Sequence, residues 1–541
     1  MTYFLNLFFI VVIILITLAM MFSTAMGLDW ETRRGKILPI LLLLVQILVE
    51  YWLIFWGRDV VFVGIDQAGE LRVFTQISRN IQYTMDPLNI SFFDNYSLAL
   101  IPLLSFFILS RFLFLFMGNN AWLLAYHILL LATAAIKSVL LFIFLCKYTS
   151  KPLSFIITSI IVNSFFFISP SWWIGLRESF ALIWLLLILL NATYKRVGAG
   201  MALIFFTHYL LFFVSLATVA FPSICIGLYK RLGDSSKNFH EDLGHLIDLI
   251  SKVNFRGYYF LFFFGPLLLA VLILLLIPKY LTLMVEFLFN TITSFSISST
   301  VLSYSTNTAF WFLLTIMLTG FGFLWFVYLW WKDKTYTFFD LSTGCVILLL
   351  ASTFFIGDFG PERIFSSGIY LLAAAILQKF NGLKFERRQR FLVLGILGIL
   401  INPITFTPMV TSSQSVLIEG NSNFENLLLK TSVSHGEYLV ALSLSEWDEG
   451  GSTIHCDWNQ FRAFLAFTET NHSRFKVFQT ISDYLPGDFV IVPPYYLVGR
   501  FIVSVDWEGS VTKSTKLYLN LNLEDFTNIQ VIQNISIYKV P

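Results

Sequence analysis

Stretches of about 17–25 predominantly apolar residues recur along this chain, the length at which an α-helix crosses a hydrocarbon layer roughly 30 Å thick. They fall at 4–26, 37–56, 98–116, 121–146, 152–168, 178–193, 197–228, 257–282, 308–331, 340–357, 366–379 and 391–408. Composition points the same way: 57% of residues are hydrophobic and 13% charged, and the mean hydropathy is +0.76. An ordinary soluble chain carries roughly 25% charged residues. With no water in the bilayer to satisfy peptide groups, such segments are expected to be helical. The expectation is a polytopic α-helical membrane bundle of about twelve transmembrane or re-entrant helices over residues 1–408, with a small soluble α/β domain at 409–541.

Charge orients this arrangement. The basic connections Arg33 to Lys36, Lys147 to Lys151, Lys195–Arg196, Lys332 to Lys334 and Lys379 to Arg390 are placed on the cytoplasmic side, following the positive-inside rule. Residues 57–97, a first outer loop, and the whole tail then face outward. On this scheme 197–228 must leave and return, turning near Thr207-His208-Tyr209, a device that builds sites at membrane depth. Segment 98–116 has the wrong parity for a simple crossing and is expected to be re-entrant around Pro102 or Arg111. The first stretch, 4–26, lacks a basic leader and reads as a retained helix or signal anchor. Residues 409–541 carry 8 Lys/Arg against 14 Asp/Glu, so an acidic tail follows a basic membrane part. Runs such as Phe489 to Pro493 and Asn528 to Val540 read as strands, separated by turn-prone stretches such as Pro486-Gly487-Asp488. The four cysteines, Cys146, Cys225, Cys345 and Cys456, form neither a disulfide framework nor a zinc spacing.

Three clusters at the proposed outer face could carry chemistry. Asp66 and Glu70 lie four residues apart, on one face of a helix, and either could take a proton from an incoming hydroxyl. The plainer role is a helix cap for Asp66 and solvation for Glu70. Arg177 and Glu178 follow Trp172-Trp173-Ile174-Gly175 at the mouth of an apolar helix. A guanidinium there can hold a phosphate through two N–H groups, or anchor the helix at the interface. Asp358, Glu362 and Arg363 form the third cluster, a further phosphate or sugar contact or a small ion pair. Inside the apolar segments, His127, Lys137, His208 and Arg111 are costly in lipid and are expected to face the bundle interior or to snorkel. No Walker A motif supports ATP-driven transport, and no ligand spacing supports a metal.

Taken in order, the acidic first loop (Gly64 to Glu70), Arg177-Glu178, Thr207-His208-Tyr209 in a split helix, and Pro361-Glu362-Arg363-Ile364 resemble the GT-C superfamily of membrane glycosyltransferases. The likeness is nearest to archaeal polytopic members of unknown function. It implies a GT-C-like bundle in which a sugar moves from a polyprenyl (dolichyl) phosphate-linked donor to a glycan or protein acceptor at the outer membrane face. It also implies Asp66 or Glu70 as catalytic base and Arg177, Arg363 and His208 as phosphate and lipid-donor contacts, with Glu178, Glu362 and Asp358 in support. No cofactor, metal or nucleic acid is expected. The implied location is the plasma membrane, multi-pass, with the C-terminal domain extracytoplasmic. The tail lacks the Trp-Trp-Asp-Tyr-Gly motif of the oligosaccharyltransferases in that superfamily, which favours transfer of a single sugar. A transporter or flippase of lipid-linked glycans and a non-catalytic membrane scaffold are the alternatives.

Overall fold

The computed structural model describes residues 29, 31–55, 60–62, 65–79, 100–163, 167, 171–172, 175–190, 194–223, 338–353 and 361–380, then 433–447, 452–456, 475–477, 485–492, 497–498, 501–502, 526–532 and 535–541. In chain order the first part comprises α1 (Arg33–Ile54), β1 (Val60–Phe62), α2 (Ile65–Arg79), α3 (Leu100–Met117), α4 (Ala121–Leu145), α5 (Lys151–Val162), α6 (Leu176–Leu190), α7 (Tyr194–Phe205), α8 (Tyr209–Ser215), α9 (Phe338–Thr353) and α10 (Pro361–Phe380). The tail adds β2 (Val433–Ser434), α11 (His435–Trp447), β3 (Ile454–Cys456), β4 (Phe475–Val477), β5 (Phe489–Val492), β6 (Leu497–Val498), β7 (Phe501–Ile502), β8 (Thr527–Ile532) and β9 (Ile535–Lys539).

The helical part corrects the expectation of about twelve crossing helices. Among the described residues one helix, α4 with 25 residues, is long and apolar enough to cross a membrane. The other apolar helical stretches are shorter: Ile37–Trp52, Ile101–Met117, Lys151–Val162, Leu211–Ser223, Phe338–Leu350 and Ser366–Ala375. Hydropathy windows average across helix breaks, whereas a crossing needs about 20 continuous helical residues. Segment 152–168 stops as a helix at Val162, with Asn163 as its C-cap. Segment 197–228 is divided by His208, which starts a new helix as its N-cap. Segment 98–116 is one unbroken 18-residue helix rather than a re-entrant pair. Candidates 4–26, 257–282, 308–331 and 391–408 lie outside the described residues.

The packing explains why α4 is so apolar. It touches α1, α3, α5, α6 and α2, and Ala125, Leu130, Ala134, Leu141 and Leu145 are wholly buried along it. It is the central column of the bundle as well as its longest apolar helix. Local chemistry fixes the ends of its neighbours. The Thr32 hydroxyl accepts from the Gly35 N–H at 3.1 Å to begin α1, and the Lys147 ammonium donates to the Leu190 carbonyl at the end of α6, where cations offset the helix dipole.

Two helices carry their apolar residues outward. On α1, Leu41, Val45, Leu48 and Trp52 are each half or more exposed, while Gln46 and Glu50 are buried. On α3, Leu104, Ile108, Phe112, Leu115 and Phe116 are 59–77% exposed. A helix in water normally shows the reverse pattern, with its polar face outward.

The tail forms a five-stranded mixed sheet of order β4-β3-β5-β9-β8. Strands β4, β3 and β5 run parallel, and β9 is antiparallel to both β5 and β8. Val440 and Ala441 of α11 share a core with Ile454, Cys456, Ile491 and Ile537. Yet Tyr438, nearer the start of α11, and Val433 of β2 belong to the core of the helical bundle. The Tyr438 hydroxyl donates to Asn120 Oδ1 at 2.7 Å, and β2 pairs with β1, Val60 opposite Ser434. Helix α11 thus has one foot in each core, and the tail meets the bundle at the end where residues 60–62 and the α3–α4 turn lie.

Candidate functional site

Helix α2 places Gln67, Glu70, Leu71 and Phe74 on its buried face, at helical spacing, and each is fully inaccessible to water. Glu70 reaches the start of α6. Its Oε2 accepts from the Tyr126 hydroxyl at 2.6 Å and from the Leu176 N–H at 2.8 Å. Its Oε1 accepts from the Arg177 N–H and from Arg177 Nε, both at 3.0 Å. The first amides of a helix have no intrahelical acceptor and carry the positive end of its dipole. At α6 the residue just before the helix is Gly175, with no side chain to serve as cap, and a carboxylate from 106 residues away does that work.

Gly175 is what lets the carboxylate in. Its φ is +124°, and a Cβ at this position would lie 2.5 Å from Glu70 Oε2. Burial lifts the Glu70 carboxyl above its ordinary range, while the Arg177 guanidinium, the Tyr126 hydroxyl and the two amides pull it back. Four donors converge on two oxygens, which is the pattern of an ionised carboxylate.

The same short segment is tied on its other sides. The Gln67 side chain donates to the Trp172 carbonyl at 2.6 Å, and the Trp172 indole donates to Glu50 Oε2 at 3.4 Å. The ammonium of Lys137, wholly buried on α4, donates to Ser171 at 2.7 Å and Ser179 at 3.2 Å and lies 4.8 Å from the Phe167 ring centre. Glu178, also wholly buried, accepts from Ser366 of α10 at 2.7 Å. Tyr51 and His127 are joined at 3.0 Å, and the His127 ring also meets the backbone of Val61. Residues 171–179 are therefore a hub that joins α1, α2, α4, α6 and α10.

The structure distributes the expected site residues unevenly. Glu70 and Arg177 meet directly, in a pair whose side chains are 0% and 12% exposed. Glu178 lies beside them in sequence but faces Ser366. Asp66 sits in the first turn of α2, and Glu362 and Arg363 in the first turn of α10. The side chains of these three, and Asp358 entirely, lie outside the described residues. Ser366 is three residues beyond Arg363, and through it the second turn of α10 meets the first turn of α6. His208 is engaged locally, its Nδ1 accepting from the Leu211 N–H at 3.2 Å. Arg111, expected to face the bundle interior or to snorkel, lies on the exposed side of α3 with its guanidinium 5.5 and 5.8 Å from the centres of the Phe107 and Trp122 rings.

Sequence reasoning passed over Glu50, Tyr126, Gly175 and Ser366. Glu50 carried a usable signal, since an acid within an apolar helical stretch is costly and marks a polar interior. Tyr126 and Ser366 carried none. Among the described residues no group of three or more His, Cys, Asp or Glu side chains is placed to hold a metal ion. No protein-family model matches this chain, and no characterised protein matches it either.

Proposed function

We propose that this protein is a glycosyltransferase of the membrane, moving a sugar from a polyprenyl (dolichyl) phosphate-linked donor to a glycan or protein acceptor at the outer face. The observation that carries this reading is the meeting of Glu70 with the α6 N-terminus and Arg177. It joins the acidic first loop to a fixed guanidinium at the end of the bundle where the tail also attaches through β1 and β2. The outward apolar stripes of α1 and α3 support contact with lipid, as a prenyl-linked donor and a plasma-membrane location require.

Within this reading the two acids of α2 part company. Glu70 is saturated by four donors and sealed from solvent, so it is a poor base and serves to position Arg177. Asp66, one turn earlier on α2 and nearer the helix start, is the candidate base. The acceptor hydroxyl attacks the anomeric carbon as its proton passes to the Asp66 carboxylate. The bond from that carbon to the phosphate oxygen breaks, and polyprenyl phosphate leaves with the electron pair. Guanidinium groups of Arg177 and Arg363 would offset the charge that develops there, most effectively where water is excluded.

The test uses the full chain in lipid nanodiscs with polyprenyl-phosphate sugars and an acceptor extract. Asp66→Asn is expected to lower transfer by about 10²–10⁴-fold, the usual worth of a general base, without shifting the melting temperature. Transfer equal to that of the parent would remove Asp66 from the mechanism. A second reading, a non-catalytic scaffold, is favoured by the completeness of the Glu70 hydrogen bonding, which is what a purely structural joint needs. It predicts no sugar transfer by the parent protein with any donor.

A further inference from the structure

The hub holds an imbalance of charge. Among the described residues, three buried carboxyls, Glu50, Glu70 and Glu178, surround one buried cation, Lys137, and one partly buried cation, Arg177. Lys137 acts electrostatically on both Glu50 and Glu178. Excess charge in such surroundings is expensive and is removed by a proton or a counter-ion. The hydrogen bonding shows where. Glu70 is fixed as a carboxylate by Arg177, the Tyr126 hydroxyl and two helix amides. Glu178 accepts from the Ser366 hydroxyl at 2.7 Å and shares α6 with Ser179, a direct partner of Lys137. Glu50 is the one of the three whose contacts among the described residues include no hydroxyl, backbone amide or guanidinium. Its neighbours are Gln46, on its own helix, and the Trp172 indole at 3.4 Å. Its Oε1 has no hydrogen-bond partner among the described residues.

We infer that Glu50 is a proton-binding site, a neutral acid buried in the bundle that carries one exchangeable proton for the hub. The groups facing it fit this role from each side. From α4 come Lys137 and, next to Tyr51, His127, whose ring nitrogens are engaged by the Tyr51 hydroxyl and the Val61 backbone. From α5, Ser159 exchanges two hydrogen bonds with Gln46 and so holds the amide beside Glu50. From 171–172 come Ser171 and Trp172. Beyond Lys137 stand Glu178 and Tyr370, the latter's hydroxyl also without a partner among the described residues. A neutral carboxyl tolerates a long indole contact and an unmatched oxygen far better than a carboxylate does. Loss of the proton would draw Lys137 away from Ser171 and Ser179 and pull on Trp172, three residues before Gly175. The site is therefore linked by direct contacts to the segment that holds Arg177. The inference stands whether or not the protein transfers sugars.

Infrared spectroscopy of the full chain in detergent tests it. At neutral pH the parent is expected to show the C=O stretch of a protonated carboxyl that shifts in D2O, disappears in Glu50→Gln and persists in Glu178→Gln. Glu50→Gln, isosteric with the neutral acid, is expected to melt with the parent only at acid pH, below the ordinary glutamic acid range, and to outlast it increasingly as pH rises through neutrality. The sign follows from linkage: an acid that keeps its proton in the folded state stabilises fully below its unfolded pKa and loses that stability as pH climbs through the folded value. A band that survives in Glu50→Gln would overturn the assignment, as would a parent with no such band. Failure of Glu50→Gln to fold would also overturn it, because a neutral acid tolerates that exchange. A melting temperature that rises with added sodium, in a parent lacking the band, would show that a cation balances the charge instead.

Discussion

Two carboxylates in this molecule are held by the same chemistry to different ends. In the tail, Asp488 accepts from the N–H groups of Leu485 and Thr453 and meets His455 Nε2, all at 3.0 Å. In the bundle, Glu70 accepts from two amides, a tyrosine and a guanidinium. Asp488 works within one sheet: it secures the turn before β5 to the start of β3, whose residues already lie alongside in parallel register. Glu70 works between helices 106 residues apart, where no backbone ladder exists to help it. A lost Asp488 leaves a sheet that can still align itself, whereas a lost Glu70 leaves a helix start, a buried tyrosine hydroxyl and a guanidinium unsatisfied together.

The largest expected effect tests that contrast. Glu70→Ala should cost roughly 3–5 kcal/mol, as when one partner of a buried ion pair is removed. Thermal or denaturant unfolding of the purified chain measures it. Glu70→Leu combined with Arg177→Met should recover part of the loss, since no charge is then left alone. If Glu70→Ala costs no more than Asp488→Ala, the distinction between a joint across helices and a staple within a sheet collapses.

Gly175 sharpens the same comparison at the backbone. Gly175→Ala meets both a left-handed φ and the Glu70 carboxylate, and is expected to cost about 3 kcal/mol. Gly118, at φ +58° with open space around its Cβ position, is the control, with about 1 kcal/mol expected for Gly118→Ala. Equal losses in unfolding experiments would mean that access of Glu70 to the α6 N-terminus is not what Gly175 provides.

Glu70 and Arg177 stand out in the sequence because both are charged residues at the edges of apolar runs, and their partnership follows from the cost of burying either alone. That α6 begins at Leu176 was also partly legible, since a glycine stands where a Ser, Thr or Asp cap is usual, a hint that the cap comes from elsewhere. The source of that cap was not legible, because nothing local distinguishes Tyr126 or Ser366 from other residues of apolar helices. The strands at Phe489 and Asn528 were visible as β-branched runs. The pairing of β1 with β2 was invisible: two short strands more than 370 residues apart have no local signature. Helix length was misjudged for a physical reason seen at Asn163, where a capping residue ends a helix inside a window whose average hydropathy stays high, whereas the break at His208 falls where the turn in 197–228 was expected.

Acid separates the two carboxylates further. Burial alone would raise the Asp488 carboxyl, but the bonds from Leu485, His455 and Thr453 outweigh it and hold it below the usual aspartic acid range. Such a group stabilises the fold above its unfolded pKa, and that contribution is lost as pH falls through the folded value. Asp488→Asn is therefore expected to cost about 2 kcal/mol at neutral pH, in the range for hydrogen bonds to a charged group. Parent and variant should converge once pH falls past the lowered folded value, followed by circular dichroism of the β signal. A constant gap at all pH values would mean that shape, not charge, matters at this position.

The smallest effect concerns the seam between the two regions. Tyr438→Phe removes one hydroxyl, the donor to Asn120, and leaves the ring in the bundle core. A single hydrogen bond is worth about 1 kcal/mol, too little to unfold either part but enough to be seen in local opening. Amide exchange read by mass spectrometry should quicken at β1 and β2, where Val60 opposes Ser434, and stay unchanged in β3, β5 and β9, whose contacts lie within the tail. If the sheet quickens by the same factor, α11 transmits the loss through Val440 and Ala441, and bundle and tail open as one cooperative unit. Unequal exchange instead means that Glu70 and Asp488 stabilise separate units, joined at a helix that either can release.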